Sequence, residues 1–190
     1  MMNDFLFYFK IGWEHILSWN ATDHLLFMVA LSIVYTYRDY KKVLVLVTAF
    51  TIGHAITLYL TALDQIRVNT NLVELLIPCT ILITSLFNIL YSSDQQKGMR
   101  LQYGIALCFG LIHGMGYANY IRMMLASDQH LIWGLFSFNV GLEMGQIVAV
   151  LVVILITWLS SKISWLSRKY LIASVSVCIG LASIYLIISR

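Results

Sequence analysis

One apolar stretch decides the fold class: residues 131–159 read LIWGLFSFNVGLEMGQIVAVLVVILITWL. About 20 such residues suffice for a helix to cross roughly 30 Å of hydrocarbon. The composition agrees, since 60% of the residues are hydrophobic, 11% are charged and the mean hydropathy is +0.83, whereas a soluble domain carries about 25% charged residues. The sequence therefore predicts an all-α integral membrane protein. A net charge of +3, concentrated in connecting segments, does not indicate nucleic-acid binding.

Further apolar stretches extend this pattern to a bundle of six transmembrane helices in a single domain covering residues 1–190. The predicted spans lie near 23–37, 43–63, 72–91, 102–121, 131–159 and 170–189. Residues 1–20 differ, because polar residues interrupt an aromatic-rich apolar sequence. This mixture predicts an amphipathic helix that lies in the membrane interface and does not form a seventh span.

Basic residues predict the orientation, because cytoplasmic loops carry an excess of lysine and arginine. They concentrate in the first, third and fifth connections: Arg38, Lys41, Lys42, Lys97, Arg100, Lys162, Arg168 and Lys169. These connections are therefore expected in the cytoplasm and both termini on the extracytoplasmic side.

Five ionisable residues fall inside or at the mouth of these spans: Asp23, His24, His54, His113 and Glu143. Such groups are costly in a bilayer and by default mark a functional site. At 1.5 Å per residue, His54 lies about 14 Å and His113 about 12 Å from the outer ends of their predicted spans. Imidazole and carboxylate are ligands for a borderline divalent metal. The matching depths predict a shared ion in the outer half of the bundle.

Nearby polar residues are candidates to support this site. Asn139, Glu143 and Gln146 have the i, i+4, i+7 spacing of one helix face. Thr57 follows His54 by three residues and could hold its second ring nitrogen, and Glu74 opens the third predicted span. The ligand candidates and the supporting residues also have ordinary structural explanations. A histidine could simply form an interhelical hydrogen bond, and Asp23 could cap a helix. Glu74 could be a solvated group, and Asn139 and Gln146 could form interhelical contacts.

Adjacent helical residues point about 100° apart. Asp23 and His24 are therefore expected to divide the roles, one as a ligand and the other as its orienting partner. Another histidine, His130, falls in a predicted outer loop and is expected to be solvated.

Four motifs resemble the HupE/UreJ family of membrane proteins: HILSWNATDHLLF (15–27), FTIGHAITL (50–58), FGLIHGMGYA (109–118) and FNVGLEMGQ (138–146). They occur in consistent order over about residues 12–150. The resemblance implies a nickel or cobalt permease of a bacterial inner membrane. It implies that His15 and the Asp23–His24 pair form the first motif, with seven residues between them where the family has five. His54, His113, Asn139 and Glu143 match its other polar positions.

Two functions remain open at this point. The first is a permease for a divalent cation, with nickel or zinc as the expected metal. The second is a membrane-embedded zinc hydrolase for a lipid or peptide substrate, in which three histidines hold zinc and Glu143 or Asp23 acts as general base. The family resemblance ranks the permease first. Few polar residues in the inner half mark an exit path, which keeps the hydrolase as a close second. The sequence leaves open whether the protein is an enzyme and whether it forms a homo-oligomer.

Overall fold

The computed structural model describes residues 2–18, 21–67, 69–91, 99–125, 131–163 and 167–189. Within these ranges the chain forms helices and no strand, which confirms the all-α class. The helices are α1 (Met2–Leu17), α2 (Thr22–Ser32), α3 (Tyr40–Ala62), α4 (Thr70–Tyr91), α5 (Met99–Leu125), α6 (Leu131–Ser160) and α7 (Arg168–Ile188). Lys97 and His130 lie outside the described residues.

Four helical segments are long and apolar enough to cross a membrane: Tyr37–Ala62, Thr70–Leu90, Ile132–Ser160 and Arg168–Ile188. The protein is therefore an integral membrane protein. Helix α5 has comparable length, but Gln102, His113 and several glycines make it less apolar. Helix α2 is a shorter apolar helix. The predicted count of six spans is not confirmed by these four segments.

One end of the bundle is marked by basic residues, and we call it the basic end. There a 3-10 turn, Tyr37–Asp39, leads into α3, and Asp39 and Thr36 form a capping box. Lys42 donates to Asp39 at 2.8 Å. The guanidinium of Arg168, at the start of α7, donates to the carbonyl oxygen of Val34 at 2.6 Å. The connection before α3 and the start of α7 thus meet at the same end.

Helices α3 and α5 run parallel and pack at backbone distance. Gly110 faces the backbone of Phe50, and Gly114 faces that of His54. A Cβ atom at either glycine would overlap these backbone atoms. Small residues permit this approach between membrane helices, and it sets His113, next to Gly114, close to His54.

Helix α1 packs on α6 in the same manner. Gly141 faces the backbone of Phe9, and Gly145 faces Trp13 and Ile16, so the two helices run in the same direction. Tyr8, Gly12 and Ile16 are buried along α1. The structure therefore does not confirm an interfacial position for residues 1–20, because α1 lies lengthwise along a membrane-spanning helix.

Helix α2 begins at about the depth in the bundle at which α1 ends, and it runs from there toward the basic end. The side-chain amide of Asn88, near the end of α4, donates to the carbonyl oxygen of Ala30 at 2.6 Å. The last turn of α2 therefore lies beside the last turn of α4. Helices α1 and α2 thus follow one another along the bundle axis, and the break between them falls inside the bundle.

The glycine contact between α3 and α5 generates a stability prediction. Gly110→Val should lower the free energy of unfolding by about 1–3 kcal/mol or more, because the added side chain overlaps the backbone of Phe50. Gly104→Val is the matched control on the same helix, since a Cβ atom there meets no atom within 4 Å. Denaturant unfolding of the purified protein in detergent measures both. Equal stability of the two variants would contradict the close packing.

Candidate metal centre

Three histidines from three helices meet at the break between α1 and α2. His15, His24 and His54 each offer a ring nitrogen, and these nitrogens all lie within 4.8 Å of one another. The ring centroid of His15 lies 4.5 Å from that of His24 and 5.9 Å from that of His54. Nitrogen ligands lie about 2.0–2.1 Å from a zinc-sized ion, so small side-chain adjustments would let all three rings bind one ion.

The rings of His24, His54 and His113 are buried and that of His15 is half-buried, and each has at least one buried nitrogen without a hydrogen-bond partner in the described part of the chain. His54 and His113 are 0% exposed and His24 is 4% exposed. No hydrogen-bond partner within the described part of the chain reaches Nε2 of His15, Nε2 of His24 or Nδ1 of His113. The ring nitrogens of His54 make no hydrogen bond of standard geometry there either, and the side chain of Asn139 lies beside them. An unpaired polar atom in an apolar interior is costly. A bound cation would use these lone pairs, which is the chemistry expected of a metal site.

Asp23 orients His24. Its Oδ1 lies 3.0 Å from Nδ1 of His24 and also accepts the backbone N–H of His24 at 2.9 Å. Because an ionised carboxylate can only accept hydrogen bonds, the proton of the neutral ring resides on Nδ1. Nε2, which is buried and has no partner among the described residues, then carries a free lone pair. A carboxylate bonded to an imidazole in this way orients metal ligands in other proteins. The division of Asp23 and His24 into an orienting partner and a ligand stays a prediction.

His113 adjoins the three-histidine group on its side nearer the basic end. Its ring centroid lies 5.0 Å from that of His24, at an interplanar angle of 86°. Its nitrogens are not among the three that lie within 4.8 Å of one another. The hydroxyl of Thr80 on α4 lies 3.0 Å from Nε2 of His113. Thr80 is a site residue that the sequence did not single out, since a threonine in an apolar helix normally bonds only to its own helix backbone.

Aromatic side chains enclose the imidazoles. Toward the basic end, Phe27 and Phe50 are both 0% exposed, with ring centroids 5.0 Å apart, and each packs against His113. On the opposite side, the ring of Tyr117 lies 3.9 Å from that of His15. Phe138 stacks on His54 at 6.2 Å. The phenylalanine pair separates the imidazoles from the basic end of the bundle.

The three polar residues on one face of α6 have different neighbours: Asn139 lies beside His54, whereas Gln146 and Glu143 contact threonines of α3. Asn139 lies beside the ring of His54, where its amide donates to the carbonyl oxygen of Leu135 and its Oδ1 is buried with no partner among the residues described. Gln146 accepts from Thr51 at 2.9 Å. Glu143 accepts from Thr48 at 2.7 Å.

Glu143 therefore lies away from the three-histidine group. Thr48 precedes His54 by six residues on α3, which places it about 9 Å nearer the basic end. The structure brings Asp23, His15, His24, His54 and His113 together and sets Glu143 apart from them.

Thr57 and Glu74 are the two other supporting candidates. The hydroxyl of Thr57 donates to the carbonyl oxygens of Gly53 and His54 at 3.3 Å and not to the imidazole. It lies where a Cβ atom on Gly114 would be. Glu74 is exposed near the start of α4.

A family model and two searches compare the chain with known proteins. The family model described as HupE / UreJ protein matches residues 1–190, the whole chain, and confirms the resemblance carried by the four motifs. No curated protein matches, and no solved structure matches.

Removal of one imidazole tests the site. His54→Ala should weaken binding of Ni²⁺ or Zn²⁺ to the purified protein by more than the roughly 10–100-fold that the loss of an orienting partner costs, because it removes a ligand. His130→Ala is the control, since the sequence predicts that His130 lies in an outer loop. Calorimetric titration in detergent gives both affinities. Equal affinities would show that His54 is not a ligand.

Proposed function

The chain belongs to the HupE/UreJ family, and from this membership and the convergent imidazoles we propose that it is a permease for a divalent transition-metal cation of the nickel or cobalt type. The observation that carries the proposal is the group of buried ring nitrogens without partners at the break between α1 and α2. Imidazole suits nickel, cobalt and zinc alike, so the family favours the first two.

We propose further that α1 and α2 together form the first of six crossing units. Helix α1 runs parallel to α6 and ends at the imidazole group, and α2 runs from that group to the basic end. Broken helices that meet near the bilayer midplane are a common way for transporters to build an ion site. This arrangement replaces the predicted interfacial helix and short first span. With the basic end in the cytoplasm, the site opens toward the extracytoplasmic side of a bacterial inner membrane.

The inward path is proposed to follow the contact between α3 and α6. Phe27 and Phe50 close the direct route from the imidazoles toward the basic end. Beside them, the buried Thr51–Gln146 pair supplies oxygen atoms within the span. The Thr48–Glu143 pair supplies further oxygen atoms at the edge of this contact, where Thr48 is exposed on the surface of the bundle. Displacement of the phenylalanine pair would pass the ion from nitrogen ligands to the Glu143 carboxylate. Glu143 is thus proposed to be a second ion-binding position, which the ion reaches after it leaves the imidazoles.

The placement of the carboxylates favours transport over hydrolysis. A zinc hydrolase needs a general base within hydrogen-bond reach of the metal-bound water. In the described part of the chain, Asp23 is held by His24 and Glu143 by Thr48. Each carboxylate thus already has a side-chain partner other than a metal-bound water. We therefore retain the permease as the proposed function.

Uptake into proteoliposomes tests the function. The wild-type protein should accumulate ⁶³Ni²⁺, and Glu143→Gln should reduce the initial rate about tenfold or more while the affinity for Ni²⁺ stays the same, because Glu143 acts after the imidazoles. Asp64→Asn is the control, since Asp64 lies in the exposed segment after α3 and pairs with Arg67.

Two results would contradict this account. Absence of uptake by a wild-type protein that binds Ni²⁺ stoichiometrically would remove the permease. A Glu143→Gln variant with unchanged uptake would remove Glu143 from the path.

A further inference from the structure

We propose that Thr80 is a positioning residue that holds His113 in the tautomer with its proton on Nε2, so that Nδ1 becomes a fourth nitrogen ligand for the ion at His15, His24 and His54. This inference rests on one part of the proposed function, the binding of an ion to these histidines, and does not require that the ion is transported.

The hydrogen bonds of Thr80 determine the tautomer. Its hydroxyl oxygen lies 2.7 Å from the carbonyl oxygen of Ile77 and 3.0 Å from Nε2 of His113. A carbonyl oxygen can only accept, so the single hydroxyl proton of Thr80 is used in the bond to Ile77. The contact with His113 must then be a bond that Nε2–H donates to Thr80. In the neutral imidazole the other nitrogen, Nδ1, is left with its lone pair.

The surroundings of Nδ1 leave that lone pair for a ligand. His113 is 0% exposed, and its Nδ1 has no partner within the residues that the structure describes. The His113 ring stands nearly perpendicular to that of His24, with centroids 5.0 Å apart. On its other sides it contacts Phe27 and Phe50, which offer no polar atom.

Two separate contacts therefore fix the tautomers of His24 and His113, and each leaves one ring nitrogen with its lone pair. Asp23 fixes the proton of His24 on Nδ1 and frees Nε2, whereas Thr80 fixes the proton of His113 on Nε2 and frees Nδ1. With His15 and His54 this gives four nitrogen donors, enough for a tetrahedral site. Because the His113 nitrogens lie outside the closest group of three, His113 would have to approach the other rings for all four nitrogens to hold one ion.

Two substitutions at Thr80 separate its hydroxyl from its shape. Thr80→Val keeps the size and removes the hydroxyl, whereas Thr80→Ser keeps the hydroxyl. Thr84→Val is the matched control one turn along α4, because in the described part of the chain the Thr84 hydroxyl donates to a backbone carbonyl oxygen, that of Thr80 at 2.8 Å. Imidazole ¹⁵N NMR of the metal-free protein reports the tautomer of His113, and calorimetry with Ni²⁺ reports the affinity.

We expect the Nε2–H tautomer in the wild type and in Thr80→Ser, and loss of this preference in Thr80→Val. The affinity for Ni²⁺ should fall about 10–100-fold in Thr80→Val and remain within about twofold of wild type in Thr80→Ser and Thr84→Val. A wild-type ring with its proton on Nδ1 would overturn the inference, whether or not Thr80→Val folds. Unchanged affinity in a folded Thr80→Val protein would also overturn it.

These outcomes are separable from the fate of the permease. A protein that shows the expected tautomers and affinities but no ⁶³Ni²⁺ uptake would lose its proposed transport function and keep the role of Thr80. A protein that transports Ni²⁺ with unchanged rate and affinity in Thr80→Val would keep transport and lose that role.

Discussion

The structure depends on one constraint: imidazole nitrogens buried in a membrane protein need a partner. His24, His54 and His113 are almost completely removed from the surface, and each presents at least one nitrogen that no described group satisfies. A protein that only required stability would replace such rings with apolar side chains, since unpaired buried polar atoms lower stability. The arrangement is consistent with selection for an ion that supplies the missing partner.

The helix packing serves this constraint. Gly110 and Gly114 let α3 and α5 approach until the backbone of His54 contacts the turn that carries His113. Gly141 and Gly145 let α1 lie against α6, which brings His15 inside the bundle. The break before α2 then sets Asp23 and His24 at the same depth. Close glycine contacts and one interrupted helix thus deliver four rings to one place.

Part of this could be predicted from the sequence. Hydropathy gave the membrane class and the main helices, and residue counting gave His54 and His113 a common depth, which agrees with the short distances among the histidine rings. The position of α1 could not be predicted, because an aromatic-rich helix with Lys10 and Glu14 has the composition of an interfacial helix. Its packing depends on glycines in α6, more than 100 residues away.

The positions of two site residues could not be predicted either. Helical periodicity placed Glu143 on the face of Asn139, but only the crossing of α3 and α6 sets it beside Thr48. Thr80 was missed because its role depends on which residue of α5 faces it.

The central claim is that imidazoles from separate helices bind one ion. X-ray absorption at the nickel edge of the purified, Ni²⁺-loaded protein tests it most directly. The account predicts one Ni²⁺ per chain, with nitrogen donors at about 2.0–2.1 Å and the outer-shell scattering of three or four imidazoles. A first shell of oxygen or sulfur atoms without imidazole scattering would contradict it.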